Sequence, residues 1–291
     1  MNFSEAIRVF SELIKFRITV LVSFTTGLGY ILGAKEMGYT FFSVVAGIFL
    51  LACASSALNH WQERDTDALM DRTKFRPIPS GRIEPRAVLL IAVLLLLAGS
   101  VILFTATNTA ALLVGLVTFV WYNGIYTPIK KKTAFAIIPG AVVGALPPVA
   151  GWAAAGGDVL DYRIMIIAAY MFVWQIPHFW LLLLLYGEDY QKGGFPVLSR
   201  IFSNEQLKRI TFTWLLATVL IALLIPMFLY LYNFFTMPVI IFISIGMVAV
   251  SFRFLFSSLE RKNIRASFLA INFYTLLLIS ILSIDKLIKV F

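Results

Sequence analysis

The residues best equipped for chemistry lie in NHWQERDTDALMDRT, residues 59–73, where Glu63, Asp65, Asp67 and Asp71 stand close together. The whole chain holds 15 acids, so this short stretch is where its negative charge gathers. Asn59, Glu63, Asp67 and Asp71 recur every four residues, and on a continuous helix that spacing makes one slowly drifting stripe of oxygen ligands. Carboxylates and an amide so arranged suit a hard divalent ion such as Mg²⁺, which binds through one or two carboxylates, water and the phosphates of its substrate. Arg72, Thr73, Lys74 and Arg76 follow, then Pro77, Pro79 and Gly81. Acids for a metal beside guanidinium groups for phosphate oxygens describe a diphosphate site. The plainer alternative is a solvated helix laced with ion pairs such as Glu63 with Arg64 or Asp67 with Arg72.

A second polar set interrupts WQIPHFWLLLLLYGEDYQKGGFPVL, residues 174–198. The spacing of Gln175, His178 and Asp189 puts all three on one face of a helix. Asp189 could then share the metal or the diphosphate, with Lys192 close by, while Gly193, Gly194 and Pro196 make a turn that lets backbone approach a ligand. His178 could orient a substrate, carry a proton or approach an iron, or it could simply hydrogen-bond a neighbouring helix. The only other histidine, His60, sits inside the first stripe. A third run, YNGIYTPIKKKT (residues 122–133), offers Lys130 and Lys131 to a diphosphate. It also offers Tyr122 and Tyr126 either to an allylic cation through their ring faces or to an ordinary interfacial belt.

The elements that must position these residues are membrane helices. Hydrophobic residues make up 60% of the 291, charged residues 13%, and the mean hydropathy is +0.89, well beyond a soluble domain. Windows of ~20 residues, enough to cross ~30 Å of hydrocarbon, fall near residues 17–35, 41–62, 86–106, 109–126, 134–155, 162–185, 209–231, 237–257 and 266–288. The expectation is an all-α polytopic membrane helical bundle of nine spans, forming one domain over residues 1–291. Cys53 is the only cysteine, which excludes an internal disulfide and a thiolate metal cage.

Lys and Arg gather in alternate loops: before the first span, between Arg64 and Arg86, at Lys130 to Lys132, from Lys192 to Arg209, and from Arg253 to Arg265. The other side keeps Lys35, Arg163, Lys286 and Lys289. The positive-inside rule therefore predicts a cytoplasmic N-terminus, an outside C-terminus and both polar sets at the inner surface. The net charge of +9 is a topology signal with a part for anionic membrane lipid, and it needs no nucleic-acid partner. No cleavable signal peptide is expected, because the N-terminus opens on a mixed-charge amphipathic stretch. Glu5 and Glu12 in that stretch speak against an acid-poor transit sequence and for a bacterial plasma (inner) membrane.

With these motifs in hand, the chain resembles the UbiA superfamily of intramembrane prenyltransferases, and within it the haem O synthase branch. The superfamily pattern N-D-x-x-D-x-x-x-D is met by Asn59, His60, Glu63 and Asp67, and the departures at 60 and 63 are typical of that branch. ALMDRTKFRPIPSGRI (residues 68–83), PHFW (177–180), DYQKGGFPVL (189–198), GALPPVAGWAA (144–154) and YTPIKKKT extend the likeness, while Phe16 replaces a common proline. The resemblance implies that the nine transmembrane helices surround a central cavity, and it implies Mg²⁺ as cofactor, held by Asn59, Glu63, Asp67 and Asp189. It implies farnesyl diphosphate as donor, its leaving diphosphate stabilised by Arg72, Arg76 and Lys130 or Lys131. It also implies protoheme IX as acceptor, alkylated at a vinyl group with addition of water, and a downstream haem A synthase or terminal oxidase as consumer. The residues themselves leave open another aromatic or chlorin acceptor. A cation-coupled transporter is disfavoured, because transporters set their ionisable residues near the midplane.

Overall fold

The computed structural model describes residues 2–290. Among the described residues nine helices are long and apolar enough to cross a membrane, as expected, and all regular structure is helical. A short helix, α1 (Phe3–Leu13), comes first; Asn2 caps it by accepting the Glu5 N–H. It is strongly amphipathic, burying Val9 and Leu13 against Ala57, Ile78 and Val88 while exposing Phe3 and Ile7. The spans follow as α2 (Phe16–Gly33), α3 (Tyr39–Asp67), α4 (Pro85–Ala106) and α5 (Thr109–Val120). The last of these continues through a wide π turn (Trp121–Tyr126) into α6 (Thr127–Ile129). Then come α7 (Ile137–Ala154), α8 (Tyr162–Lys192), α9 (Asn204–Phe228), α10 (Thr236–Phe256) and α11 (Arg261–Val290).

Sequence neighbours pack side by side, and α11 returns to touch both α8 and α2, so the bundle closes around an interior. The tightest crossing, α2 on α7, is built on glycine. A Cβ on Gly29 would stand 1.8 Å from the Pro148 carbonyl oxygen, and one on Gly151 would stand 1.9 Å from that of Thr26. In hydrocarbon, where apolar contact with a helix is no better than with lipid, such backbone approach is what holds two helices together.

Several helix ends run past the expected windows, three of them for a clear local reason. α3 continues to Asp67 because no breaker interrupts the polar residues after 62. α8 continues to Lys192 across a kink at Tyr186 (φ −131°, ψ 17°), just before Gly187. α9 begins at Asn204 on a capping box in which the Ser203 hydroxyl accepts from Gln206 N–H and the Gln206 side chain accepts from Ser203 N–H, a sequence-local device.

Gly29→Ala is expected to destabilise the bundle by about 1–3 kcal/mol or more, the usual cost of overpacking. Gly246→Ala, where nothing lies within 4 Å of the new Cβ, is expected to be neutral. Thermal unfolding of both variants in detergent checks this; equal midpoints would show that the α2–α7 crossing can relax.

Candidate active site

At the end of the bundle where α3 and α8 run long, a cavity of about 340 Å³ opens between α2, α3, α5, α7 and α8. Its mouth is polar and its floor apolar. Asn59, Glu63 and Asp67 project from α3 at the mouth, with Arg72, Arg76 and Lys130 on the same wall, while Ile48, Leu51, Phe119 and Val143 line the depth. The four-residue spacing of the first stripe therefore holds for three of its members.

Every carboxylate on that wall has a cation. Asp67, whose side chain is 0% exposed, receives Arg76 Nη1 at 2.8 Å on one oxygen and 2.7 Å on the other. Glu63, 4% exposed, is paired with Lys130. Lys15 Nζ donates to Asn59 Oδ1 at 2.8 Å, and the Asn59 amide points its N–H toward Thr127 Oγ1 at 3.4 Å. Removal from water would by itself pull the Lys130 ammonium down, but the Glu63 carboxylate together with Tyr122 and Tyr190 outweighs it, and its pKa ends above the ordinary lysine value. For Lys15 the balance falls the other way: burial, aided by the nearby Arg76 charge, outweighs the Glu63 and Asp67 carboxylates and lowers it to about 7.

The sequence reading passed over Lys15, because a basic residue before the first span is fully accounted for by topology. Its local signal is conformational: Lys15 is the one non-glycine among the described residues with positive φ, at 48°. That left-handed geometry at the start of α2 costs on the order of 1 kcal/mol and directs the side chain back into the cavity. In the next position α2 starts at Phe16, whose exposed ring stands edge-on to Phe49.

Tyr122 and Tyr126 both line the cavity, ring centroids 5.6 Å apart, and Lys130 Nζ lies 5.6 Å from the Tyr126 ring centre. The π turn that carries them follows from Pro128, which has no N–H to continue the ladder; the Thr127 N–H instead reaches Tyr122 O, five residues back. Such single wide turns re-aim side chains at functional sites. Behind the tyrosines the Asn123 amide donates to Ser55 Oγ at 2.5 Å, fixing the turn on α3. Gln175 lines the cavity too, next to Gly144, and its Oε1 accepts no hydrogen bond.

Other expected residues lie elsewhere. Asp71 falls beyond the end of α3, so the stripe stops at Asp67; Asp71 is exposed and paired with Lys74 and Lys192, which hold its carboxyl down to about 2. Lys192 is therefore tied to Asp71 and does not line the cavity, and Lys131, also off the wall, reaches Gln62 O at 3.4 Å. His178 leaves the expected face: its Nδ1 meets Asn272 Oδ1 of α11 at 2.9 Å and its ring lies among Trp174, Phe179 and Phe268. Asp189 parts company with Gln175 because the kink at Tyr186 breaks the helical register between them. Its two oxygens accept the backbone N–H groups of Asp71 and Arg72, each at 3.0 Å. The two motifs do meet, through a carboxylate gripping the loop that carries Arg72. Arg72 in turn lies over the Tyr186 ring at 5.2 Å.

Among the described residues the cavity wall offers two carboxylates and an amide on one helix face and no cluster of three His, Cys, Asp or Glu side chains. That donor set is too sparse to be a protein-made cage, and it fits a hard cation that completes its shell with water and substrate phosphate.

Comparison with known proteins agrees. The model of the UbiA prenyltransferase family matches residues 20–277. The protoheme IX farnesyltransferase of Oleidesulfovibrio alaskensis is 37% identical over 222 residues, covering 76% of this chain and 78% of that protein. That of Gloeobacter violaceus is 34% identical, covering 98% of this chain and 93% of its own. Among solved structures, a digeranylgeranylglyceryl phosphate synthase superposes with a TM-score of 0.76 at 14% identity, covering 96% of this chain and 98% of that one. A UbiA homologue from Archaeoglobus fulgidus bound to GPP and Mg²⁺ does so with 0.70 at 17%, covering 97% and 99%.

Asp189→Asn is expected to loosen the loop after α3, since hydrogen bonds to a charged acceptor are worth about 1.5–3 kcal/mol. Hydrogen exchange at the Asp71 and Arg72 amides should quicken about tenfold or more; unchanged exchange would mean the loop is held by other contacts.

Proposed function

Since this chain belongs to the UbiA prenyltransferase family, we propose that it transfers a farnesyl group from farnesyl diphosphate to a vinyl group of protoheme IX, with addition of water. The relatives named for that reaction support the choice of donor and acceptor. One observation carries the donor half: a single cavity joins a mouth rich in carboxylates and cations to an apolar interior. An amphiphile with a diphosphate head and a hydrocarbon tail is the ligand that uses both ends.

Asn59, Glu63 and Asp67 would hold Mg²⁺ together with the diphosphate. Bound there, the ion supplies charge neutralisation of the leaving group. Arg76, Lys130 and Lys15 now face the protein's own oxygens, and Arg72 rests on a ring; all four are placed to turn toward phosphate oxygens as charge develops on them. The rings of Tyr122 and Tyr126 face the same cavity and stabilise a positive allylic carbon. The apolar floor excludes water from that carbon until an acceptor is in place. Asp189 acts as a positioning residue, by anchoring the loop that brings Arg72 to the mouth. We place the site at the cytoplasmic surface from the distribution of lysine and arginine, and read the whole chain as one domain of a bacterial plasma-membrane enzyme.

Product analysis with haem b, farnesyl diphosphate and Mg²⁺ tests the reading. The expected product is heavier than haem b by farnesyl plus water, and a chelator should abolish it. Asp67→Ala removes a site oxygen pair and leaves Arg76 uncompensated; turnover should fall at least about 10³-fold, more than 4 kcal/mol of transition-state stabilisation, with the protein still inserted. Near-normal product from that variant would take Asp67 out of the site.

A further inference from the structure

Beside the cavity lies a second concavity, a groove of about 730 Å³ between α1, the end of α3 and the loop that follows. It shares Lys15, Ile18, Arg72 and Arg76 with the cavity, and adds Arg8, Arg82 and His60. Glu12 is its one acid, held by Arg82 at 2.6 Å and by Arg8 at 3.3 Å. The groove is thus more cationic than the donor's head requires, and two of its arginines lie outside the donor cavity altogether. His60 is the second observation. It is 2% exposed and lines the groove, and neither ring nitrogen makes a well-formed hydrogen bond within the protein, the Glu12 backbone being the one polar group that approaches them, an expensive arrangement for a buried polar group.

Resting on the transfer reading above, we infer that this groove is the subsite for the carboxylate edge of the tetrapyrrole acceptor. Protohaem carries two carboxylates on one edge of a rigid ring and its vinyl groups on the rest of the perimeter. Such a molecule needs an anion-binding site next to the diphosphate cavity but separate from it, or its carboxylates would compete with the donor's head. The shared wall of Lys15, Ile18, Arg72 and Arg76 supplies that adjacency. The His60 ring donates an N–H to one carboxylate, and Arg8 and Arg82 meet the other while remaining in contact with Glu12. Bound this way, the acceptor is oriented by charge at its edge, and the ring is free to lie against the lipid-facing side of the cavity mouth.

The test compares haem b with its dimethyl ester, which keeps the ring and iron but loses both charges. Binding of each is followed by haem absorbance, without donor, on wild type, Arg8→Glu and His60→Gln in vesicles of neutral lipid. Haem b is expected to bind about tenfold more tightly than the ester to wild type, the scale of one hydrogen bond to a charged group. Both substitutions should weaken haem b by a similar factor and leave the ester unchanged. Equal binding of acid and ester, or a substitution that weakens both alike, overturns the assignment. So does an Arg8→Glu defect that appears only when anionic lipid is added, which would make the groove a lipid-headgroup site. Farnesyl transfer is measured on the same samples. Discrimination between acid and ester without any product would leave the groove standing and remove the transfer reading, and product without discrimination would do the reverse.

Discussion

The constraint from which the rest of this structure follows is that Glu63 and Asp67 are ionisable groups buried at the edge of an apolar bundle, and each needs a counter-charge to stay there. An unpaired carboxylate in such surroundings costs several kcal/mol. The chain meets that cost by bringing cations from two separate places, Arg76 from the loop after α3 and Lys130 from the end of the fourth span, while Lys15 at the start of the second helix bonds to Asn59 beside them. Each of these attachments also closes a wall of the cavity. The electrostatic need of two side chains on α3 therefore assembles the mouth of the site before any substrate arrives.

The same pairings explain how a site can be stable empty and still receive a highly charged ligand. The cations that neutralise the protein's carboxylates are the right groups for a diphosphate, and the carboxylates they would release are the right groups for a divalent ion. On the proposed reading, substrate and metal arriving together would exchange one balanced set of charges for another, so that neither charge is left uncompensated in a region of low dielectric. A neutral, hydrophobic pocket would accept the hydrocarbon tail equally well but would have nothing to offer its head.

Much of this was legible in the sequence because it rests on periodicity and charge. The nine spans, the gathering of both polar sets at one end and the Asn59, Glu63, Asp67 face all follow from spacing that a helix makes real. What escaped depends on departures from regular helix. The end of α3 at Asp67 takes Asp71 out of the stripe, the kink at Tyr186 separates Asp189 from Gln175, and helix rotation turns His178 to Asn272 on α11. Lys15 escaped for a different reason: its charge had a sufficient explanation in topology, and only its left-handed backbone shows a second role. The groove beside α1 was invisible too, since it joins residues 8, 60 and 82, which no single periodicity relates.

The grip of Asp189 on the loop after α3 reaches only main-chain N–H groups, at positions 71 and 72. It is therefore indifferent to the side chains there: serine, lysine or alanine would be held as well as aspartate and arginine, and proline alone is barred, having no hydrogen to give. The latch and the chemistry it delivers are thus under separate control. What positions 71 and 72 present can therefore change without loss of the means by which the loop is kept in place.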